Sequence, residues 1–350
     1  MIKNYITKLE RFASRNNEQV VSVGVDVHKK SYSVCIYSSS NDYCEWTMPS
    51  DNQSLISMLL SVDLDYHSIV YESGPCGFEL CRQLRNAGLN SHVIAANKIL
   101  RPATSGAKTD SIDSRKIAEY ALKDMLVPIG IPTREEEIFR KLMRYRHRTT
   151  DKVASIKREI KSVYLEMGEV LPEGSEKFSV SGIQRLKDSR PDFYYVLFYM
   201  LTDLSHYIQQ RKEIDAKLKE IASERMLLET VEHMKILPGV GDIVALSFIT
   251  EVFQPKRFKS KEQISSYLGL APINNQSGMS KNTSRISNGG KKRLKSLLVE
   301  ASWIYARHDE QAKKLYNRIL TKTGLPQKAI VAVAHRLGIK LWRLSLNRSG

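Results

Sequence analysis

Cysteine is scarce in this chain and unpaired in pattern: Cys35, Cys44, Cys76 and Cys81 form no CxxC pair and show no zinc-ligand spacing. That argues against a disulfide framework and a structural zinc centre, and the four read as core thiols in a reducing compartment. Long apolar runs are also missing. No uninterrupted stretch approaches the ~18–20 residues that span a bilayer, and MIKNYITKLERF lacks an apolar signal segment, so the expected location is cytoplasmic, with no membrane partner. Acidic residues are depleted in one place. Residues 251–350 hold 20 Lys/Arg against 5 Asp/Glu, a surplus of +15 out of a total of +16. A surface charged only for solubility has no reason to be confined to one third of a chain, so a polyanion is expected to dock there. Nucleic acid fits better than a membrane, because no basic amphipathic helix with an aromatic apolar face is evident.

What is present starts with Val20, Val21, Val23, Val25 and Val27, a β-branched run suited to a strand buried on both faces. Asp26 interrupts it. A lone carboxylate at the mouth of such a strand needs a partner, and a cation would serve. SYSVCIY and YCEWTM continue as strands of an antiparallel meander. A helix follows over about Asp51–Leu60, capped by Asp51 or Ser50. Then come a strand SIVYES ending near Glu72, a helix Phe78–Ala87 and a strand His92–Ala95. The β-β-β-α-β-α-β order is that of RNase H-like nucleases, in which Asp26 and Glu72 would lie on adjacent strands. Asp110 and Asp113 in KTDSIDSRKIAEYAL share one face of a helix. Oxygen ligands of this kind select Mg²⁺, or Mn²⁺, over zinc. Taken singly, Asp110 reads as an N-cap, Asp113 as a first-turn acid, Glu72 as a solvated strand end, and His28 as an exposed or base-contacting side chain rather than a ligand.

From Glu135 the pattern becomes helical. Ile138, Leu142, Tyr145, Thr149, Val153, Ile156, Ile160, Val163 and Met167 form a coiled-coil seam broken at Leu171-Pro172, and apolar spacing resumes from Leu197 to Ile221. Two long helices fit either an antiparallel hairpin or an arm pairing with a second protomer. Arg144, Arg146, Arg148, Lys157, Arg158 and Lys161 could contact nucleic acid, though solvated charge is the default reading. In ILPGVGDIVALSFITEV a tight turn precedes an apolar helix, as in a helix-hairpin-helix, where Gly239 and Gly241 would let backbone approach a phosphate; a plain helix-joining turn reads equally well. Residues 274–290 contain no acid and are rich in Asn, Ser and Gly, a polar loop before a helix from about Lys291. Lys281, Arg285, Lys291, Lys292, Arg293 and Lys295 surround it with positive charge suited to phosphate.

VGVDVHK, YESGPCGF and KTDSIDSRKIAEY, in that order, resemble the acidic blocks of the DEDD-type insertion-sequence transposases and the related Piv-type DNA invertases. LPGVGDIVA, RFKSKEQISSYLGLAP, QSG and RISNGGKKRLKSLLVEAS resemble the C-terminal block of the same family. The resemblance implies an α/β N-terminal domain (1–132) with an RNase H/RuvC-like mixed sheet, then coiled-coil dimerisation helices (133–228), then an all-α, helix-hairpin-helix-like transposase domain (229–350). It implies that Asp26, Glu72, Asp110 and Asp113 are catalytic and hold Mg²⁺. It also implies that Ser277, which the residues alone read as a loop-capping serine, attacks DNA, with Ser280, Ser284 and Ser287 as weaker candidates. The partners implied are donor and target double-stranded DNA, a noncoding guide RNA, and a homodimer that assembles to a tetramer with a composite site. Two rival readings are a RuvC-like endonuclease that uses water and a non-catalytic nucleic-acid-binding protein.

Overall fold

The computed structural model describes residues 2–74, 76–95, 110–171, 178–188, 194–273, 285–286 and 290–346. The chain forms two compact units, Met1–Ile131 and Pro132–Gly350.

In the first unit the elements run α1 (Ile2–Arg15), β1 (Val20–Val27), β2 (Ser31–Ser38), β3 (Tyr43–Pro49), α2 (Asn52–Leu60), β4 (Asp65–Glu72), α3 (Glu79–Asn86), β5 (Ser91–Ile94) and α4 (Asp110–Leu122). The sheet order is β3-β2-β1-β4-β5. β1–β2 and β2–β3 pair antiparallel, while β1–β4 and β4–β5 pair parallel, so the sheet is mixed and consistent with an RNase H-like build. Asp51 caps α2, accepting from the backbone N–H groups of Gln53 and Ser54.

Alternation along the strands sorts side chains to two faces. Val21, Val23 and Val25 join Val34, Ile36, Ile69, Tyr71 and Val93 in the larger core. The expected strands carry that core, but α1 is an addition: the N-terminal residues, for which no element was expected, form a helix that seals it with Leu9 and Phe12, both at most 1% exposed. Ile6, Leu9, Phe12 and Ala13 recur at the helical spacing that would have revealed it.

The opposite face is covered by α4. Val70 and Ile94 pack on Ile117 and Ala121, and Cys35 and Tyr37 on Ala118. Gly24 makes this approach possible. A Cβ there would lie 2.0 Å from the Ser114 carbonyl oxygen and 2.5 Å from the Ala118 nitrogen, so any side chain would push the helix backbone off the strand. The Arg115 guanidinium sits 3.8 Å over the Tyr43 ring and fixes α4 to the sheet edge. Burial pushes the Cys35 thiol up to about 12, as an inert core thiol requires. Cys44 and Cys81 are also buried, but Cys76 is exposed, which corrects its reading as a core residue.

Among the described residues the second unit is helical apart from one short strand pair. Its elements are α5 (Arg134–Glu166), α6 (Val180–Asp188), α7 (Tyr194–Glu224), α8 (Leu228–Lys235), α9 (Asp242–Val252), α10 (Lys261–Leu268), β6 (Pro272–Ile273), β7 (Arg285–Ile286), α11 (Lys292–His308), α12 (Glu310–Thr323) and α13 (Pro326–Leu346). A capping box between Thr133 and Glu136 starts α5. α5 and α7 run antiparallel within one chain: Arg146 pairs with Asp215 at 2.8 and 3.3 Å, and Lys152, further along α5, reaches back to the Tyr207 hydroxyl at 3.4 Å. One end of the pair is filled by Val153, Ile160 and Tyr164 with Ile183, Leu186, Leu197, Leu201 and Leu204.

At the other end Phe139, Met143, Ile214 and Leu218 belong to the same core as α8, α9, α11 and α13. The inner face of α5 is rotated there relative to the expected seam. Ile138 is 62% exposed while Phe139 and Met143 are buried, because this end of α5 must face the C-terminal helices as well as α7. Among the described residues no helix is long and apolar enough to cross a membrane.

Candidate active site

Asp26 lies on β1 opposite Ser33 of β2. On its other side the register Val25↔Tyr71 brings the next residue of each strand, Asp26 and Glu72, to the same level at the carboxyl ends of two parallel neighbours. Both belong to the α4 face, since Gly24 and Val70, two residues earlier on each strand, pack on that helix. α4 runs antiparallel to β1: Ser114 and Ala118 lie on Gly24, which pairs with Cys35, while Lys123, further along α4, lies near Tyr37, which pairs with Ser22. Its first turn therefore lies toward the strand ends. Asp113, one turn before the Ile117 that contacts Val70, is in that turn. Asp110 is the first residue of α4, and its side chain is outside the described residues.

Asp26 is partly shielded, its side chain 21% exposed, and His28 Nε2 donates to its Oδ2 at 3.1 Å. His28 thereby joins the acidic strand end to a polar cleft of about 550 Å³, whose other lining residues include Lys29, Tyr32, Asn52, Cys76 and Gln83. This cleft, with basic, amide and hydroxyl groups beside a carboxylate, was not anticipated from the sequence. The turn after β4 is held by Tyr71, whose hydroxyl donates to the Gly77 carbonyl at 3.1 Å and accepts from the Cys81 N–H at 3.3 Å.

The donor chemistry at this end of the sheet is carboxylate oxygen, which suits a hard divalent cation. Among the described residues no three His, Cys, Asp or Glu side chains are gathered closely enough to hold an ion. The structure thus brings Asp26 and Glu72 together at the carboxyl ends of two central strands and Asp113 to the helix turn beside them, without a closed ligand shell among the described residues.

The remaining sequence candidates lie in the second unit. Ser277 and Lys281 are outside the described residues, and Arg285 is placed only as backbone in β7. Lys292, Arg293 and Lys295 occupy the first turn of α11, next to Lys291 at its N-cap. Gly239 has φ +83° and packs on α11, where a Cβ would meet the Ala301 carbonyl oxygen at 2.4 Å. Helix packing is therefore sufficient to account for that glycine. Gly241 faces open space, and the α9 start beside it carries Asp242, paired with Lys219 at 3.1 Å and Lys235 at 2.9 Å. Arg144 and Arg146, read as solvated charge, are instead committed to Glu251 and Asp215.

A mixed α/β sheet with carboxylates at its strand ends, followed by a strongly basic helical unit, defines an enzyme acting on nucleic acid. Comparison with known families narrows this. Residues 23–167 match the model of the DEDD transposases of the IS110 type, and residues 231–317 that of the transposase IS116/IS110/IS902 family. Among curated relatives, a putative transposase of Sinorhizobium fredii is 25% identical over 81% of this chain and 71% of its own. The transposase for insertion sequence element IS1111A of Coxiella burnetii is 23% identical over 94% and 91%. The pilin gene-inverting protein of Moraxella lacunata is 23% identical over 90% and 92%. The chain belongs to the DEDD-type insertion-sequence transposases, enzymes of DNA transposition and recombination, and DNA is its substrate.

Proposed function

We propose that the protein cuts and rejoins DNA strands at the ends of a mobile element, with Ser277 as the nucleophile. In this reading Asp26, Glu72, Asp110 and Asp113 hold Mg²⁺, or Mn²⁺. The metal supplies charge stabilisation at the scissile phosphate. The observation that carries the reading is the placement of Asp26 and Glu72 on adjacent strand ends, with the first turn of α4 brought beside them by Gly24. The Ser277 oxygen forms a bond to phosphorus as the phosphorus–oxygen bond of the strand breaks. The serine loses its proton and the departing strand oxygen takes one up. One phosphodiester is exchanged for another, so the reverse attack rejoins DNA without an external energy source.

The division 1–132, 133–228 and 229–350 is then functional: acids, dimerisation helices, and a helix-hairpin-helix-like DNA-holding domain that brings the serine. Dimerisation is supported by apolar side chains left exposed at the far end of the α5–α7 pair, Leu165, Val170, Val180, Tyr195 and Tyr199, and two dimers assemble to a tetramer on donor and target duplexes. The basic surplus of the second unit suits a noncoding guide RNA as well as DNA. The enzyme works in the cytoplasm.

The test is covalent capture. Full-length protein is incubated with Mg²⁺ and labelled DNA carrying the element's ends, then denatured. A protein–DNA adduct is expected from wild type and is absent from Ser277→Ala and Asp26→Asn. Cleavage that persists without an adduct in Ser277→Ala would make the protein a water-using endonuclease.

A further inference from the structure

A second polar cavity, about 350 Å³, lies wholly within the helical unit, between one face of α5 and the start of α11. Arg144, His147, Arg148 and Asp151 line it from α5, Ser247 and Glu251 from α9. Gly290, Lys291, Lys292 and Arg293 close it. It is distinct from the acidic strand ends of the first unit.

Three features define what it takes. First, no side chain caps α11, and its first turn holds no acid. Cations crowd the positive end of a 17-residue helix, against the preference of its dipole. Second, the carboxylate in the cavity is already committed. Glu251 accepts from Arg144 Nε at 2.5 Å and Nη2 at 2.8 Å, with Lys291 Nζ at 3.9 Å. Burial works to raise its pKa, but the Arg144 hydrogen bond and charge outweigh that and hold it below the ordinary range. Arg293 is paired with Asp151 at 3.1 Å, while Arg148, stacked on Tyr145, and Lys292 are exposed at the mouth.

The third feature is an unpaired nitrogen in the cavity wall. His147 is 7% exposed and lines the cavity, and its Nδ1 is buried with no hydrogen-bond partner among the described residues. The Ser247 hydroxyl spends its proton on the Ile243 carbonyl at 2.6 Å, so His147 Nε2, 3.0 Å from that oxygen, must be the donor. Nδ1 is then an unpaired lone pair, closed off from solvent, in the wall of a cationic cavity. Burial foremost, then the charges of Arg293 and Arg146, lower His147 to about 4, while Asp151 and Glu251 act the other way. Across all the elements facing it the charged groups are Arg144, Arg146, Arg148 and Asp151 of α5, Glu251 of α9, and Lys291, Lys292 and Arg293 at α11. Cations outnumber acids.

We infer that this cavity is a subsite for a backbone phosphate of nucleic acid, bound by the first turn of α11 with Arg148 and Lys292 and contacted by His147 Nδ1. The inference rests on the reading of the chain as a recombinase and extends it to α5, which that reading uses for dimerisation. A phosphate monoanion reverses the electrostatics at His147. Its Nδ1 takes up a proton from solvent and donates it to a phosphate oxygen, so binding is coupled to protonation.

The experiment is fluorescence anisotropy of full-length protein with a labelled DNA duplex and, separately, a labelled RNA hairpin, over a salt series and between about pH 7.5 and 5.5. Arg148→Ala and Lys292→Ala are surface changes that leave folding intact. Each is expected to weaken binding about tenfold and to reduce the salt slope by about 1. Wild-type affinity rises as pH falls, because the complex holds one proton more than the free protein, whereas His147→Gln, which keeps a donor to Ser247, lacks that His147-linked component. Loss of affinity for DNA alone, for RNA alone or for both upholds the site and identifies which backbone it holds. Unchanged affinity and slope in Arg148→Ala and Lys292→Ala, or a pH response in His147→Gln equal to wild type, overturns the subsite while leaving the recombinase reading intact. A wild type that binds neither probe overturns both.

Discussion

The two units of the chain solve opposite electrostatic problems. Residues 1–131 contain 14 Lys/Arg and 14 Asp/Glu, so the whole surplus of +16 resides in residues 132–350. The neutral unit concentrates chemistry: a dry mixed sheet, a helix laid directly on a glycine, and carboxylates where two parallel strands end. The basic unit concentrates positive charge, and its acids Glu251 and Asp215 are paired with arginines. Net charge therefore points to where a polyanion would dock and says nothing about where bonds would be broken.

The largest expected effect separates the two roles. Asp26→Asn should reduce strand cleavage at least about a thousandfold, equivalent to ~4 kcal/mol of barrier, while DNA affinity measured by anisotropy stays near wild type. Equal losses of cleavage and binding would break the division between units. Next, Gly24→Ala should destabilise the protein by about 3 kcal/mol, at the upper end of overpacking costs, since both clashing atoms are helix backbone. Thermal unfolding followed by circular dichroism checks this, and a melting temperature unchanged from wild type would mean that α4 is not seated on β1.

A comparable effect distinguishes the basic unit in acid. The folded-state pKa of His147 is about 4 against 6.5 for the free side chain, so the unfolded chain binds its proton first. Its contribution is fully present above about pH 6.5 and is lost as pH falls toward 4, by about 3 kcal/mol at most. Urea titrations of wild type and His147→Gln at neutral and mildly acidic pH should converge as pH falls; parallel behaviour would contradict a His147 held neutral by burial. The smallest change is Arg146→Ala, which removes the half-buried Asp215 pair and should cost about 1 kcal/mol.

Much of the first unit was legible because its physics is local. β-branched runs made the strands, Asp51 made a helix start, and the strand order put Asp26 beside Glu72. What escaped depends on contacts remote in sequence. Gly24 looks like a weak strand residue until α4 is laid across it. The seam of α5 was set one residue out at its base because Phe139 and Met143 answer to α8, α9 and α13, more than sixty residues away, as well as to α7. His147 was invisible as a functional candidate, for its interest lies in Ser247, a hundred residues on. The helical spacing of Ile6, Leu9 and Phe12 was readable and would have given α1.

The 33-residue α5 is about 50 Å long. It enters the C-terminal core through Phe139 and Met143, with no flexible tether between shaft and socket. One continuous helix thus joins two cores, so a change in how its distal end packs and a change in the C-terminal helices are read by the same rod.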